Sequence, residues 1–199
     1  MPWIDRLRLW SQDLYLACLA DSGLPATQNG AQSLRATVRG YTNFAPDPYA
    51  PPSLRLHQTR KTDSLVLRSP DYKSARRRFN QRLARSLLLD LDVLQDETLR
   101  EFVVAKGLTP SGGVESYVNQ LGANLADLEW ACYRSVELSA VRNCVTHNGQ
   151  VWQAGQINRL SALNNGLYPL PIEGDHINIE LAHLFAYKTA VRHVLTRCQ

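Results

Sequence analysis

The chain has 199 residues, of which 44% are hydrophobic and 20% are charged. This length and balance fit one globular domain with a substantial hydrophobic core, and they exclude an intrinsically disordered chain. Apolar runs are far shorter than a membrane span, and charges interrupt the N-terminal segment every few residues. We therefore expect neither a membrane anchor nor a signal peptide.

Cysteine and histidine spacing argues against a metal site or a disulfide framework. The four cysteines are scattered and form no Cys-x-x-Cys pair: Cys18, Cys132, Cys144 and Cys198. A reducing cytoplasm is therefore the expected compartment. Four histidines have no carboxylate or cysteine at ligand spacing and are expected to be structural or on the surface: His57, His176, His183 and His193. We predict no metal and no cofactor.

The net charge of +4 is unevenly distributed along the chain. The window from Arg55 to Arg85 holds ten basic and two acidic residues, a net charge of +8, so the remainder carries −4. Such asymmetry predicts an anionic partner for one face of the protein.

The N-terminal third begins with a helix and continues into an irregular segment. Apolar residues spaced by three or four predict a helix over residues 3–20. The pattern is poor over residues 21–71, which include a proline-rich loop at 41–52. Alternating residues at 53–57 and 64–68 predict a small hairpin within this insertion.

The rest of the chain has mainly helical patterns. We predict a basic helix over residues 72–91, a short helix over 96–104 and the longest helix over 114–141. A short helix over 154–163, a small hairpin of 168–172 with 176–179, and a final helix over 180–196 follow. The expected fold class is all-α, with one domain over residues 1–199.

The segment Val141–Gly149 carries the chemistry. Arg142 stays charged and can hold two phosphate oxygens with its planar guanidinium. His147 can accept or donate a proton near neutral pH. Asn143 can position a phosphate or the imidazole. Five residues separate Arg142 and His147, so on an ideal helix they point about 140° apart. They converge only if the helix ends or distorts between them, or if a second chain supplies one of them.

This Arg-Asn-x-x-x-His-Asn-Gly stretch resembles the Arg-x4-6-His signature of HEPN-domain proteins. The order of elements from Val114 to Gln199 is also similar to that of full-length single-domain relatives. The resemblance implies an antiparallel helical bundle that dimerises, with two copies of the motif facing one cleft. For this chain it implies such a bundle with the 21–71 insertion and the short C-terminal hairpin.

The resemblance implies a metal-independent endoribonuclease that leaves 2′,3′-cyclic phosphate and 5′-hydroxyl ends. His147 would be the general acid or base, Arg142 the phosphate clamp and Asn143 the positioning group. A toxin or an antiviral defence effector is the implied biological role, with an antitoxin or a defence-complex subunit as partner. The rival hypothesis is a non-catalytic RNA-binding or protein-interaction subunit, and a weaker one is a target of nucleotidyl transfer to tyrosine.

Two simpler interpretations remain beside these hypotheses. Arg142 and His147 could be the basic residues that complement a helix dipole at its C-terminus. The basic helix could present a solvated face, or a surface that tracks RNA phosphates toward the site. The arginines predicted to bind RNA lie on that helix: Arg76, Arg77, Arg78, Arg82 and Arg85.

Overall fold

A computed structural model describes residues 1–23, 72–123, 129–147, 149–164, 166 and 168–199. This part of the chain contains six helices, which confirms the predicted all-α class. None of them combines the length and the apolar character that crossing a membrane would require. In chain order they are α1 (Trp3–Gly23), α2 (Tyr72–Ala105), α3 (Val114–Gln120), α4 (Glu129–His147), α5 (Ala154–Ser161) and α6 (Leu181–Cys198).

The chain divides into two compact units. One comprises residues 1–17 and 81–199, and the other residues 18–80. In the described part of the second unit, Asn80 Nδ2 donates a hydrogen bond to Asp21 Oδ1 at 2.5 Å. The proline-rich loop at 41–52 and the hairpin predicted at 53–57 and 64–68 lie outside the described residues. All contacts below belong to the first unit.

Helix α1 forms because its apolar residues recur every three or four positions and share one face. Leu7, Trp10 and Leu14 are buried on that face. The Trp10 indole Nε1 donates to the Leu87 carbonyl of α2 at 2.8 Å, which satisfies the one polar atom of this buried ring. Arg6, which is largely buried between the two helices, pairs with the exposed Glu101 of α2 at 2.7 Å.

Helices α2 and α4 lie side by side and run antiparallel. Gln95 Nε2 of α2 donates to the Ser135 carbonyl at 3.2 Å, and Ser139 Oγ donates to Asp92 Oδ1 at 2.6 Å. Earlier residues of α2 therefore meet later residues of α4. Positions 135, 139 and 142 follow the i, i+4, i+7 spacing of one helix face, so that face of α4 is turned toward α2.

Helix α6 packs against another face of α4, also antiparallel. Near one end the rings of Trp130 and His193 stack with centroids 6.2 Å apart, and further along Tyr187 lies beside Glu137. Each fully buried leucine in this core stabilises the fold by roughly 1.5–3 kcal/mol. The buried side chains of α6 are Leu184, Tyr187, Ala190, Val191, Val194, Leu195 and Cys198.

Helix α2 is one continuous helix, whereas the sequence analysis predicted two. Neither glycine nor proline interrupts residues 91–96, and Leu91, Leu94 and Leu99 continue the buried stripe. Asp96 was interpreted as the start of a second helix. It instead pairs with Arg100 at 2.9 Å, one turn along the same helix. The acidic residue therefore belongs to an exposed helix interior.

The predicted long helix over residues 114–141 is two helices. Helix α3 ends at Gln120, and Gly122 adopts a left-handed φ of 71° that a helix interior does not allow. The Gly122 N–H closes this end by donating to the Asn119 carbonyl at 3.0 Å. Helix α4 begins at Glu129 and continues past residue 141 to His147.

The predicted C-terminal hairpin is not formed. Residues 176–179 were expected to pair with 168–172, but His176 forms an isolated antiparallel bridge with Val151. Trp152 N donates to the Asp175 carbonyl at 3.0 Å in the same pairing. Tyr168 is held elsewhere, because its ring stacks on Tyr133 at 4.6 Å between centroids. The segment after α4 therefore takes the place of the expected first strand.

Candidate functional site

The motif lies at the C-terminal end of α4, which continues without interruption to His147. The chain then turns sharply, because Gly149 and Gln150 both have left-handed φ angles, of 62° and 68°. The Gln150 N–H donates to the Cys144 carbonyl at 3.2 Å, which closes the helix end. The turn lies after His147 and not between Arg142 and His147.

Arg142 is turned toward α2 and is held by two acceptors. Its Nε lies 3.5 Å from Asp92 Oδ2, and its Nη1 donates to Asn143 Oδ1 at 2.9 Å. The side chain is still 37% exposed. Because a guanidinium has five N–H donors, Arg142 keeps donors for a further anion.

Asp92 is the buried counter-charge of Arg142. Burial raises the pKa of its carboxyl above the ordinary 3.8, while the hydrogen bond from Ser139 and the charge of Arg142 lower it. The net shift is upward, because desolvation is the largest of these effects. The Asp92 side chain is only 10% exposed. Asp92 thus orients Arg142 from the buried side of that residue.

His147 is exposed at the end of α4, on a different side of the helix from Arg142. Since α4 is continuous over both residues, their side chains leave the axis about 140° apart. The structure therefore brings Arg142 and Asn143 together but does not bring His147 to them within one chain. Of the two routes to convergence, a distorted helix is excluded and a second chain remains.

The basic part of α2 reaches the turn that follows the motif. Arg85 Nη2 donates a hydrogen bond to Gln150 Oε1, three residues beyond His147. Gln81, one turn earlier, donates to Asn178 Oδ1 at 3.1 Å. Arg82 is exposed and lies on the same side of α2 as Arg85, at i, i+3 spacing. Two predicted RNA-binding arginines therefore belong to the same surface region as the motif turn.

The other predicted RNA-binding arginines belong to the second unit. Arg77 and Arg78 are exposed on α2. The side chain of Arg76 lies outside what the structure describes.

A cleft of about 240 Å³ opens beside the motif helix, on the face of α4 that carries Arg134, Glu137 and Val141. Helix α6 and the residues that pair after α4 complete its walls. This cleft was not predicted from the sequence. Its remaining lining residues are Trp152, His176, Ile177, Asn178, Ile179, His183 and Tyr187.

An ion pair forms the charged part of this cleft. Arg134 Nη1 donates to Glu137 Oε2 at 2.6 Å, and the guanidinium also lies over the Tyr168 ring, 4.7 Å from its centroid. Burial, and then the charge of Glu137, raise the pKa of the Tyr187 phenol. Tyr187 is therefore protonated at neutral pH. The cleft combines one cation and one carboxylate, and the neutral Tyr187 hydroxyl donates a hydrogen bond to that Glu137 carboxylate.

His183 and His176 were expected to be structural or surface residues, and both line the cleft. His183 Nδ1 accepts the Glu180 backbone N–H at 3.1 Å. The Nε2 atom therefore carries the hydrogen of the neutral ring and can donate a hydrogen bond to a ligand. Two local signals of this site are present in the sequence. Arg134, Glu137 and Val141 have i, i+3, i+7 spacing, and His183 and Tyr187, which the sequence favoured as packing residues, have i, i+4 spacing.

Over the described ranges, no group of three or more histidine, cysteine, aspartate or glutamate side chains is placed to hold a metal ion. Comparisons with protein-family models, curated proteins and solved structures find no match for this chain.

Proposed function

We propose that this protein is a metal-independent endoribonuclease of HEPN type that acts as a homodimer. Its products end in 2′,3′-cyclic phosphate and 5′-hydroxyl. His147 is the general acid or base, Arg142 binds the scissile phosphate and its developing charge, and Asn143 positions them. The biological role that suits this activity is a toxin or an antiviral defence effector, held in check or directed by a partner protein.

The proposed chemistry needs only these side chains and the RNA itself. A base removes the proton of the 2′-hydroxyl, the 2′-oxygen attacks the adjacent phosphorus, and the bond to the 5′-oxygen breaks. An acid protonates the departing 5′-oxygen. A guanidinium stabilises the pentavalent phosphorus because its fixed charge faces the extra negative charge that develops there.

One observation supports this proposal above the others: the contact between Arg85 and Gln150. It joins the basic segment of α2 to the turn directly after His147. A polyanion that follows Arg82 and Arg85 would therefore arrive at the motif rather than at a remote face. The Asp92 carboxylate behind Arg142 supports the same interpretation, since it fixes the guanidinium while leaving it 37% exposed.

The geometry of α4 supports the proposed dimer. Arg142 and His147 diverge by about 140° on one continuous helix. A single chain therefore presents the phosphate-binding arginine on one side of α4 and the acid–base histidine on another. In the proposed dimer, a two-fold axis near the end of α4 would bring Arg142 of one protomer to His147 of its partner, and the symmetry would repeat this pairing.

The test is incubation of the purified protein with total RNA in the presence of EDTA, followed by analysis of the RNA ends. Cleavage with cyclic phosphate termini is expected, and His147→Ala should reduce it at least a hundredfold, as for loss of a general acid or base. Exposed Arg197→Ala on α6 serves as a control that should keep full activity. Intact RNA at every protein concentration would remove the proposal, as would cleavage that His147→Ala leaves unchanged.

Arg142 needs a more careful substitution, because its removal leaves Asp92 without a counter-charge in a buried position. Arg142→Lys keeps the positive charge and loses the planar fork. We expect this variant to fold like the wild type and to cleave RNA much more slowly.

A non-catalytic RNA-binding or protein-interaction subunit is the second candidate function. The separation of Arg142 from His147 on the continuous helix α4 favours it, because one chain alone does not bring the catalytic set together. This candidate predicts salt-dependent RNA binding without scission, and binding that His147→Ala does not change.

A further inference from the structure

The cleft on α4 selects its ligand by charge. The Glu137 carboxylate repels an anion and the Arg134 guanidinium repels a cation, and the two lie in contact at 2.6 Å. A neutral ligand that carries a hydrogen-bond acceptor beside a donor can pair with both groups at once. The site therefore suits an amide-like edge better than a phosphate or an amine.

The other walls of the cleft suit a flat ring. Trp152 lines the cleft with an aromatic side chain, and Ile177 and Ile179 line it with buried apolar ones. The volume of about 240 Å³ lies below the range of roughly 300–1,000 Å³ typical of pockets for drug-sized ligands. One aromatic base with its sugar at the mouth fits these limits.

We propose that this cleft binds a guanine base. The base stacks on Trp152, its O6 accepts from Arg134, and its N1–H and 2-amino group donate to Glu137. Adenine and cytosine present an amino donor beside a ring acceptor and lack a ring N–H on this edge. Uracil has the acceptor and the ring N–H but no second donor for the carboxylate, which has two oxygens.

A hydrogen-bond donor at the edge of the cleft can bind the sugar or phosphate of the same nucleotide. His183 keeps Nε2–H as a donor, since its Nδ1 is occupied by the backbone N–H of Glu180. The guanine can belong to a free nucleotide or to a residue within RNA. The second case rests on the proposed function, because the base would then help to select where the strand is cut.

The first experiment measures binding of GMP, AMP, CMP and UMP to the full chain by titration calorimetry. GMP should bind about tenfold more tightly than the other three, as loss of a hydrogen bond to a charged group predicts. 1-Methyl-GMP lacks the N1–H and IMP lacks the 2-amino group, so both should bind more weakly than GMP. Equal binding of GMP and AMP, equal binding of GMP and 1-methyl-GMP, or no GMP binding would overturn the proposal.

Variants then locate the site. Trp152→Ala should weaken GMP binding about tenfold, while Trp130→Ala, which removes an exposed indole stacked on His193, should not. Glu137→Gln should abolish the discrimination against AMP, and Glu97→Gln on an exposed surface is its control. Nucleotide analogues leave the protein unchanged, so the analogue series decides the matter if Glu137→Gln fails to fold.

An RNA arm separates this inference from the proposed nuclease activity. Single-stranded RNAs that contain one guanosine or none are incubated with the protein, and both binding and cleavage are recorded. Guanosine-dependent binding without scission would support the cleft and contradict the nuclease. Scission that ignores guanosine, together with absent GMP preference, would support the nuclease and contradict the cleft.

Discussion

At the scale of single residues, Asp92 connects the stability of the fold to the geometry of the proposed site. It is buried, it accepts the Ser139 hydroxyl at 2.6 Å, and it faces Arg142 at 3.5 Å. Desolvation favours its neutral form and the arginine favours its charged form. The raised pKa shows that desolvation dominates, so holding Arg142 in this place carries a cost in folding stability.

This balance predicts a pH dependence that Asp92→Asn removes. Since the pKa of Asp92 is higher in the folded than in the unfolded chain, the folded state binds the proton more tightly. The free energy of unfolding of the wild type minus that of the variant should fall as pH rises above about 4. Its total change is about 1.4 kcal/mol for each unit by which folding raises the pKa.

Urea unfolding of the wild type and of Asp92→Asn between pH 3 and pH 7 measures this difference. The contributions of the carboxylates that both proteins share cancel in the subtraction. A difference that increases with pH would mean that the charge of Arg142 outweighs desolvation. The asparagine keeps an oxygen that can accept the Ser139 hydroxyl, so that hydrogen bond is not what the experiment tests.

At the scale of elements, the turn after α4 depends on left-handed backbone that favours glycine. Gly149 has a φ of 62°, and a Cβ added there would meet nothing within 4 Å. Gly149→Ala should therefore destabilise the protein by about 1–2 kcal/mol through backbone strain alone. Gly155 in α5 is also unobstructed but has no left-handed φ, so Gly155→Ala should stabilise by up to about 1 kcal/mol.

Thermal and urea unfolding of the two alanine variants check this pair. Equal effects of the same sign would show that the backbone of the turn is not what limits substitution at Gly149. The comparison also bears on the site, because this turn connects His147 to the segment that contains Trp152.

The elements show which parts of the fold could be predicted from sequence. The stripes of α1 and α6 are local, and both helices were predicted within a few residues of their observed ends. The hairpin prediction was wrong because the stacking of Tyr168 on Tyr133 joins residues that are distant in sequence. The division at Asp96 was wrong because an acidic residue is equally suited to a helix start and to an i, i+4 pair with Arg100.

Part of the candidate site could likewise be predicted from the sequence, and part of it could not. Arg142, Asn143 and His147 are adjacent in sequence, so their spacing alone gave the 140° divergence that the continuous helix preserves. The partner of Arg142 is Asp92, on another helix and without any local sequence signal. The cleft is built from three separate parts of the chain, so the sequence showed the spacing within α4 and within α6 but not that these faces meet.

At the scale of the whole molecule, the proposed nuclease requires that each catalytic set be shared between two protomers. Arg142→Lys and His147→Ala homodimers would both be impaired, because every composite site lacks one proper group. In a mixed dimer one site lacks both, and the other combines the intact Arg142 of one protomer with the intact His147 of its partner. The two variants should therefore complement each other when they are mixed.

Random exchange of equal amounts makes half of the dimers mixed, and each mixed dimer has one of its two sites intact. The mixture should thus recover about a quarter of wild-type cleavage, after dimers are dissociated and allowed to reassociate. Mixing each variant with the Arg142→Lys, His147→Ala double variant is the control, since no fully intact site can form in it. If the mixture of the two single variants is no more active than the single variants, then Arg142 and His147 do not meet across a dimer axis. Because α4 keeps them apart within one chain, that result would contradict the composite site, and the cleavage by the wild type would then require a different catalytic pair.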